Sequence, residues 1–252
     1  MSNLATLPTR KDEAYRYSDL KALKPVWADV AGNGETIIVP VGESQDRQII
    51  LTADEHVSVQ QLEITLEEGA TFHLHCLALG AEYGRIAVTV NVHEGAHFEL
   101  GGAILGAGGQ TLEIVTDVRH IAPNATSNQV VRSVLAGKAT GSFLGKVYVA
   151  RDAQKIDATQ SVKAMLLDRT ATANAKPELE IYADDVKCAH GATVGELDKQ
   201  ALFYMASRGM DPVAARKLML QAFIADGFVS MTDDAKREDM ETAALAALEA
   251  LA

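Results

Sequence analysis

Between about Thr36 and Ile181 apolar and polar residues alternate in short runs, with almost no helical period. The runs are TIIVPV, RQIILTA, VSVQQLEITLEEGA, TFHLHCLAL, RIAVTVNVHEGAHFELGGAIL, TLEIVTDVRHI, SNQVVRSVLAG and ATGSFLGKVYVA, punctuated by Gly, Asn and Pro. Successive side chains of a strand face opposite sides, so this alternation predicts half-buried strands and an all-β body. Sandwich, barrel and β-solenoid architectures all suit it. A repeated turn adds weight to the solenoid. LEEGATFHLH at 66–75 and VHEGAHFEL at 92–100 each follow an alternating run, and each resumes with an inward aromatic, Phe72 or Phe98. Gly69 and Gly95 are 26 residues apart, a spacing that matches one or more coils.

The two ends of the chain read differently. Residues 1–30 predict a short helical arm: Ser18 caps a helix over Asp19–Lys24, Pro25 closes it, and Trp27 packs the arm on the body. From Leu197 the spacing becomes helical. A first helix ends at Gly209, and a second starts at the pair Asp211-Pro212 and stops at Gly227 as a C-cap glycine. A third segment opens at Thr232; its Ala/Leu-rich end has too little bulk for a core of its own and docks on the body or on a partner. The predicted organisation is an arm at 1–30, a β core at 31–192 and a helical region at 193–252.

Composition narrows the function classes. A hydrophobic content of 48% suffices for a real core. The net charge of −11 and the lack of a basic stripe argue against a nucleic-acid partner. No apolar run reaches the roughly 18 residues of a membrane span, and the polar N-terminus does not resemble a secretory signal. Two cysteines make no disulfide framework, which suits a reducing cytoplasm.

No nucleophile elbow, Walker loop, dinucleotide fingerprint or His-Glu-x-x-His element is present. GAGGQT at 106–111 reads as a turn. His73, His75, His93 and His97 invite a metal reading, but by strand parity they lie on the polar face, where solvated side chains are the ordinary outcome. Cys76 has inward parity with Phe72, Leu74 and Ala78 and reads as a small buried hydrophobe. Asp184 and Asp185 would face opposite sides of a strand, a poor acid/base pair, so one of them is expected in a turn or a backbone hydrogen bond. Cys188 and His190 remain. Two apart in an extended segment, their side chains project to one side. Thiolate and imidazole both ligate zinc and iron–sulfur iron, and a Cys–His nucleophile pair is also conceivable. Two ligands do not complete a four-ligand site, so a metal here requires donors from another chain. A buried cysteine beside a hydrogen-bonded histidine is the plain alternative.

The stretch PELEIYADDVKCAHGATVGELDKQALFYMASRGM resembles the SufB/SufD family of iron–sulfur cluster assembly scaffolds, on its SufD side. The similarity extends over KIDATQSVKAMLLDRTATANAKPELEIYADDVKCAHGATVG at 155–195 and to LPTRKDEAYRYSDLKAL near the start. The string Lys-Cys-x-His-Gly-Ala-Thr-Val-Gly favours SufD over its sister SufB. The resemblance implies a right-handed parallel β-helix core with a short N-terminal helical arm and a C-terminal helical region. It implies a non-catalytic scaffold subunit that pairs with a SufB-like sister through the C-terminal part of the β-helix. Helices over roughly 196–228 would dock a SufC-like ABC ATPase, through which alone ATP enters. His190, with Cys188 beside it, would lie at the sister-chain interface and hold a transient nascent iron–sulfur cluster, a cysteine of the sister chain supplying the missing thiolate. Members of the family are often longer, mostly in the N-terminal helical region. Two rival expectations stand: a purely structural interface subunit without a cluster ligand, and an independent β-helix enzyme acting on carbohydrate. An open solenoid edge would also suit a homodimer when the partner is absent.

Overall fold

The computed structural model describes residues 6–52 and 56–251, so the first five residues of the expected arm lie outside it. Two short helices, α1 (Leu20–Leu23) and α2 (Trp27–Val30), precede the strands. The first six strands are β1 (Glu35–Val39), β2 (Ser44–Leu51), β3 (Val57–Leu66), β4 (Thr71–Leu79), β5 (Tyr83–Val92) and β6 (His97–Gly106). The next six are β7 (Thr111–His120), β8 (Thr126–Leu135), β9 (Thr140–Val149), β10 (Asp157–Leu166), β11 (Thr172–Ile181) and β12 (Lys187–Gly195). Three helices follow: α3 (Lys199–Ser207), α4 (Pro212–Ala225) and α5 (Asp234–Leu251).

Odd-numbered strands form one six-stranded sheet in the order β1-β3-β5-β7-β9-β11, and even-numbered strands form a second, β12-β10-β8-β6-β4-β2. All pairings are parallel. The chain thus winds as a β-solenoid, each coil giving one strand to each sheet. The repeated Glu-Gly-Ala turn is one corner of this coil, repeated after a single circuit. Gly42, Gly69 and Gly95 hold φ of 69°, 66° and 65° there, the left-handed region that glycine enters without steric cost. Asn124 and Lys155 adopt φ of 63° and 61° at the same corner of later coils. Each of these five donates its N–H to a carbonyl of the next coil, from Gly42 onto Glu68 to Lys155 onto Asp185, so the hydrogen-bond ladder continues around the corner.

The core lies between the sheets. Phe72 and Phe98 are Cα partners and fully buried, as are Leu74, Cys76, Leu100, Ile64, Ile86 and Ile114. Burial also pushes the Cys76 thiol pKa up, which keeps it a neutral packing group.

Three readings of the arm change. Asp19, not Ser18, caps α1, accepting from the N–H groups of Lys21 and Ala22 at 3.0 Å. Ser18 is buried instead and donates to Glu113 Oε2 at 3.0 Å, where Arg85 Nη1 also donates at 2.6 Å. Pro25 does not end the helical path: it sits in the first turn of a 3₁₀ segment, where a missing N–H costs nothing. The arm is anchored not by Trp27 alone but by the fully buried Leu23 and the half-buried Tyr15, whose ring centroid lies 4.2 Å from the Arg85 guanidinium carbon and against which the half-buried Trp27 stacks edge-on.

The helical region packs on the outer face of the second sheet. Leu77, Ala103, Leu105 and Val134 of the strands meet Leu220, Ile224, Phe228, Met240, Ala244 and Leu248, so the Ala/Leu-rich end of the chain docks on the body. Asp211 caps α4 as expected, but Asp233, not Thr232, is the acceptor at the start of α5. Gly227 is not a left-handed C-cap. The turn after α4 lies so close to β6 that a Cβ at Gly227 would stand 2.8 Å from the Gly102 carbonyl oxygen, and close approach is its requirement. The left-handed glycine of this region is Gly209, with φ of 86°, after α3. No helix among the described residues is long and apolar enough to cross a membrane.

Candidate functional site

β12 is the last strand of its sheet and pairs only with β10. Lys187 donates its N–H to the Ile156 carbonyl, so by the alternation of a parallel ladder Cys188 and His190 turn their own N–H and C=O groups toward the unpaired side. Their side chains share the inward parity. Cys188 continues the column Phe72, Phe98, Ser127, Ala158, and His190 continues Leu74, Leu100, Gln129, Gln160. With no coil above them, these two inward positions meet solvent: Cys188 is half-buried and packs on the core margin, and His190 is exposed.

The Cys188 thiol pKa is raised, chiefly by burial and in smaller part by the nearby Asp157 carboxylate, against a hydrogen bond with the Ala158 backbone. A depression of about 370 Å³ beside it is lined by Lys155, Asp157, Asp185 and Lys187. Asp185 lies in the turn before β12, its N–H donating to Gln154 Oε1 at 2.9 Å, so the Asp184-Asp185 pair is turn chemistry as expected. Among the described residues no group of three or more His, Cys, Asp and Glu is arranged to hold a metal ion. Cys188 and His190 therefore supply two donors at an open edge.

The other histidines are not uniformly solvated. His73 bonds Asp46 at 2.8 Å, His97 bonds Thr126 at 2.7 Å, and both retain partial exposure, as does His93. His75 departs from the expectation. It is buried beneath the turn after α4 and bonded through Nε2 to Ser230 Oγ at 2.9 Å, and burial pushes its pKa down to about 4. The turn that covers it comes from residues 155 positions later, which no local pattern announces.

Residues 45–223 match the sequence model of the family described as SUF system FeS cluster assembly, SufBD core domain. The chain belongs to the SufBD family. The iron–sulfur cluster assembly protein SufD of Escherichia coli is 29% identical over 179 residues, covering 71% of this chain and 42% of that protein. SufD of Bacillus subtilis is 29% identical over 138 residues, 54% of this chain and 32% of its own length. The SufBD family protein slr0076 of Synechocystis is 37% identical over 120 residues, 48% of this chain and 26% of that protein. The chain spans less than half the length of these relatives.

The SufBD match runs from β2 into α4, so it takes in the open edge at β12 and part of the helical region. That region carries a second feature, a mostly apolar groove of about 570 Å³ between the helices, lined by Leu202, Val213, Leu220 and Leu248 with Arg216 and Lys217 at its margin. Around it Phe203 is 76% exposed and Val213 69%. These apolar side chains are left uncovered in the same region as the groove.

Proposed function

We propose that this chain is a non-catalytic scaffold subunit on which a nascent iron–sulfur cluster is assembled in the cytoplasm. The observation that carries the proposal is the pairing of a thiol and an imidazole on a terminal, unpaired strand of a SufBD-family β-solenoid. Two donors at an edge are half of a four-ligand iron site. A SufB-like sister chain added at that edge would bring the rest, including a thiolate. The cluster is the cargo of such a site. His190 is its first candidate donor, because it is exposed, and Cys188 the second, because burial disfavours its thiolate. The groove between α3 and α5 supports the docking of a SufC-like ABC ATPase, the only component that would handle ATP.

Affinity purification from the native cells tests the assembly, with recovery of a sister β-solenoid and an ABC-type ATPase as the expected outcome. Phe203→Asp with Val213→Asp should leave the chain folded and abolish ATPase recovery. His190→Ala should leave the complex intact and lower cluster yield. A chain that purifies alone, or a His190→Ala complex with full cluster yield, would overturn the corresponding half of the proposal. The half-burial of Cys188 favours one secondary reading, that this residue packs the interface without ligating iron. Cys188→Ala with unchanged cluster yield is its signature.

A further inference from the structure

The inner column that ends in His190 changes character along the solenoid. Its members are Arg47, Leu74, Leu100, Gln129, Gln160 and His190, one per coil, with Arg47 and His190 exposed at its two ends. Leucine suits an interior column, and two coils use it. Gln129, fully buried, is accounted for only through Oε1, which accepts the Thr116 hydroxyl at 2.7 Å, while its Nε2 has no partner. Gln160 is not accounted for. It is 3% exposed, and neither its Oε1 nor its Nε2 has a hydrogen-bond partner. A buried polar group left without a partner is destabilising, whereas a leucine there would cost nothing of the kind.

The surroundings of Gln160 narrow what its amide can serve. The expected glutamine ladder with Gln129 is not formed. Across the interior stands Gly145, where a Cβ would lie 2.4 Å from the Phe143 ring and 2.6 Å from Gln160 Nε2, so the absence of a side chain there makes room for both the ring and the amide. The next residue in the Gly145 column is Pro177, which offers no N–H, and its neighbours of like parity are Ala175 and Leu179. On the facing strand the inward positions are Cys188, His190, Ala192 and Val194. Only Cys188 and His190 carry a polar side-chain atom, and Cys188 already interacts with the Ala158 backbone. Besides the Gln129 amide below it, whose Nε2 is also unpaired, the imidazole of His190, directly above Gln160 in register, is the side chain placed to pair with the carboxamide.

We infer that Gln160 is the positioning residue of His190. When a partner chain closes the open end, Gln160 Oε1 accepts one imidazole N–H, fixing the tautomer and ring orientation and leaving the lone pair of the other ring nitrogen for iron. Metal-binding histidines are generally oriented in this way by a second group, whose loss costs roughly 10–100-fold in affinity or activity. The inference rests on the reading of His190 given above.

The test uses the full chain, labelled with ¹⁵N-histidine in its native cells and purified with the chains it retains. His190→Ala assigns the His190 signals. Gln160→Leu restores the residue type found two coils below and removes an unpaired buried amide, so it should fold at least as well as the parent. The parent should show one dominant His190 tautomer at a pH where imidazoles are neutral. In Gln160→Leu the tautomers should mix, with cluster yield down roughly tenfold and recovery of the complex unchanged. Gln160→Glu, which keeps an acceptor oxygen, should restore the dominant tautomer. An unchanged tautomer ratio and full yield in Gln160→Leu, with His190→Ala still defective, would sink this inference alone. Full yield in His190→Ala with a tautomer that responds to Gln160→Leu would instead sink the ligand role and leave the contact standing.

Discussion

The two ends of the solenoid are built from different materials. Up to β6 the space between the sheets is filled by Phe72, Phe98, Leu74, Leu100, Ile64 and Ile86, all fully buried. From β7 onward Ile114, Val118, Phe143 and Val147 keep that core going, but polar and small residues enter other inner positions, namely Thr116, His120, Ser127, Gln129, Gly145, Ala158 and Gln160, and the final strand leaves Cys188 half-buried and His190 exposed. The earlier coils are packed with large apolar side chains, whereas the later ones mix them with polar and small residues and end in an open strand. The thiol of Cys188 and the imidazole of His190 thus stand on an unpaired strand, at the end of the more polar half.

The largest test of this contrast is Phe98→Ala, which should cost about 3–5 kcal/mol and lower the denaturant midpoint sharply. If Phe98→Ala proved as mild as a change in the last coil, the contrast would fail. Acid probes the polar half. His120 is fully buried, bonded through Nε2 to Ser127 Oγ at 2.9 Å, and burial pushes its pKa down to about 4. Its neutral form belongs to the fold, and the unfolded chain takes up the proton first. Its contribution is therefore complete above pH ~6.5 and is lost as pH falls from there toward 4, by about 1.4 kcal/mol per unit. His75 acts in the same direction from the seam beneath the helices. A His120→Gln variant should flatten the pH dependence of the urea midpoint; an unaltered slope would remove His120 from the account.

Gly227→Ala tests the seam itself. Its new Cβ meets the Gly102 backbone, and a cost of about 1–3 kcal/mol should appear as looser protection of amides in α4 and α5, with the β-solenoid unaffected. The smallest effect belongs to the last coil. Cys188→Ala should change stability by less than about 1 kcal/mol, measured by denaturant titration. A larger loss would mean that the open end is packed more tightly than its exposure implies.

Much of this was legible in the amino-acid sequence. Period-two alternation gave the strands, and the repeated Glu-Gly-Ala gave the corner, because both reflect constraints between near neighbours in the chain. Helix starts were legible to within a residue or two, whereas the stops placed at Pro25 and at a Gly227 C-cap were not. Ser18 and Asp19 are both competent caps, and Thr232 and Asp233 likewise. The choice fell to Asp19 partly because Ser18 is engaged by Glu113, a contact spanning 95 residues. His75 was misread for the same reason, since the face of a strand says nothing about a turn that arrives 155 residues later. The parity of Cys188 and His190 was legible, and that of Gln160 was equally available. A glutamine at an inward position of an alternating run is the signal, visible once the strand partners are known.

The free edge of β12 has one further consequence. Cys188 and His190 present their N–H and C=O groups two residues apart along a strand whose pairing on the other side is already set by β10. A strand laid against this edge can engage it only in steps of two residues, because a slip of one turns every side chain to the opposite face. The edge therefore works as a ruler. It would grade any added strand in discrete marks about 6.6 Å apart, and a side chain carried by such a strand would either fall on the mark beside His190 or miss it by a whole division.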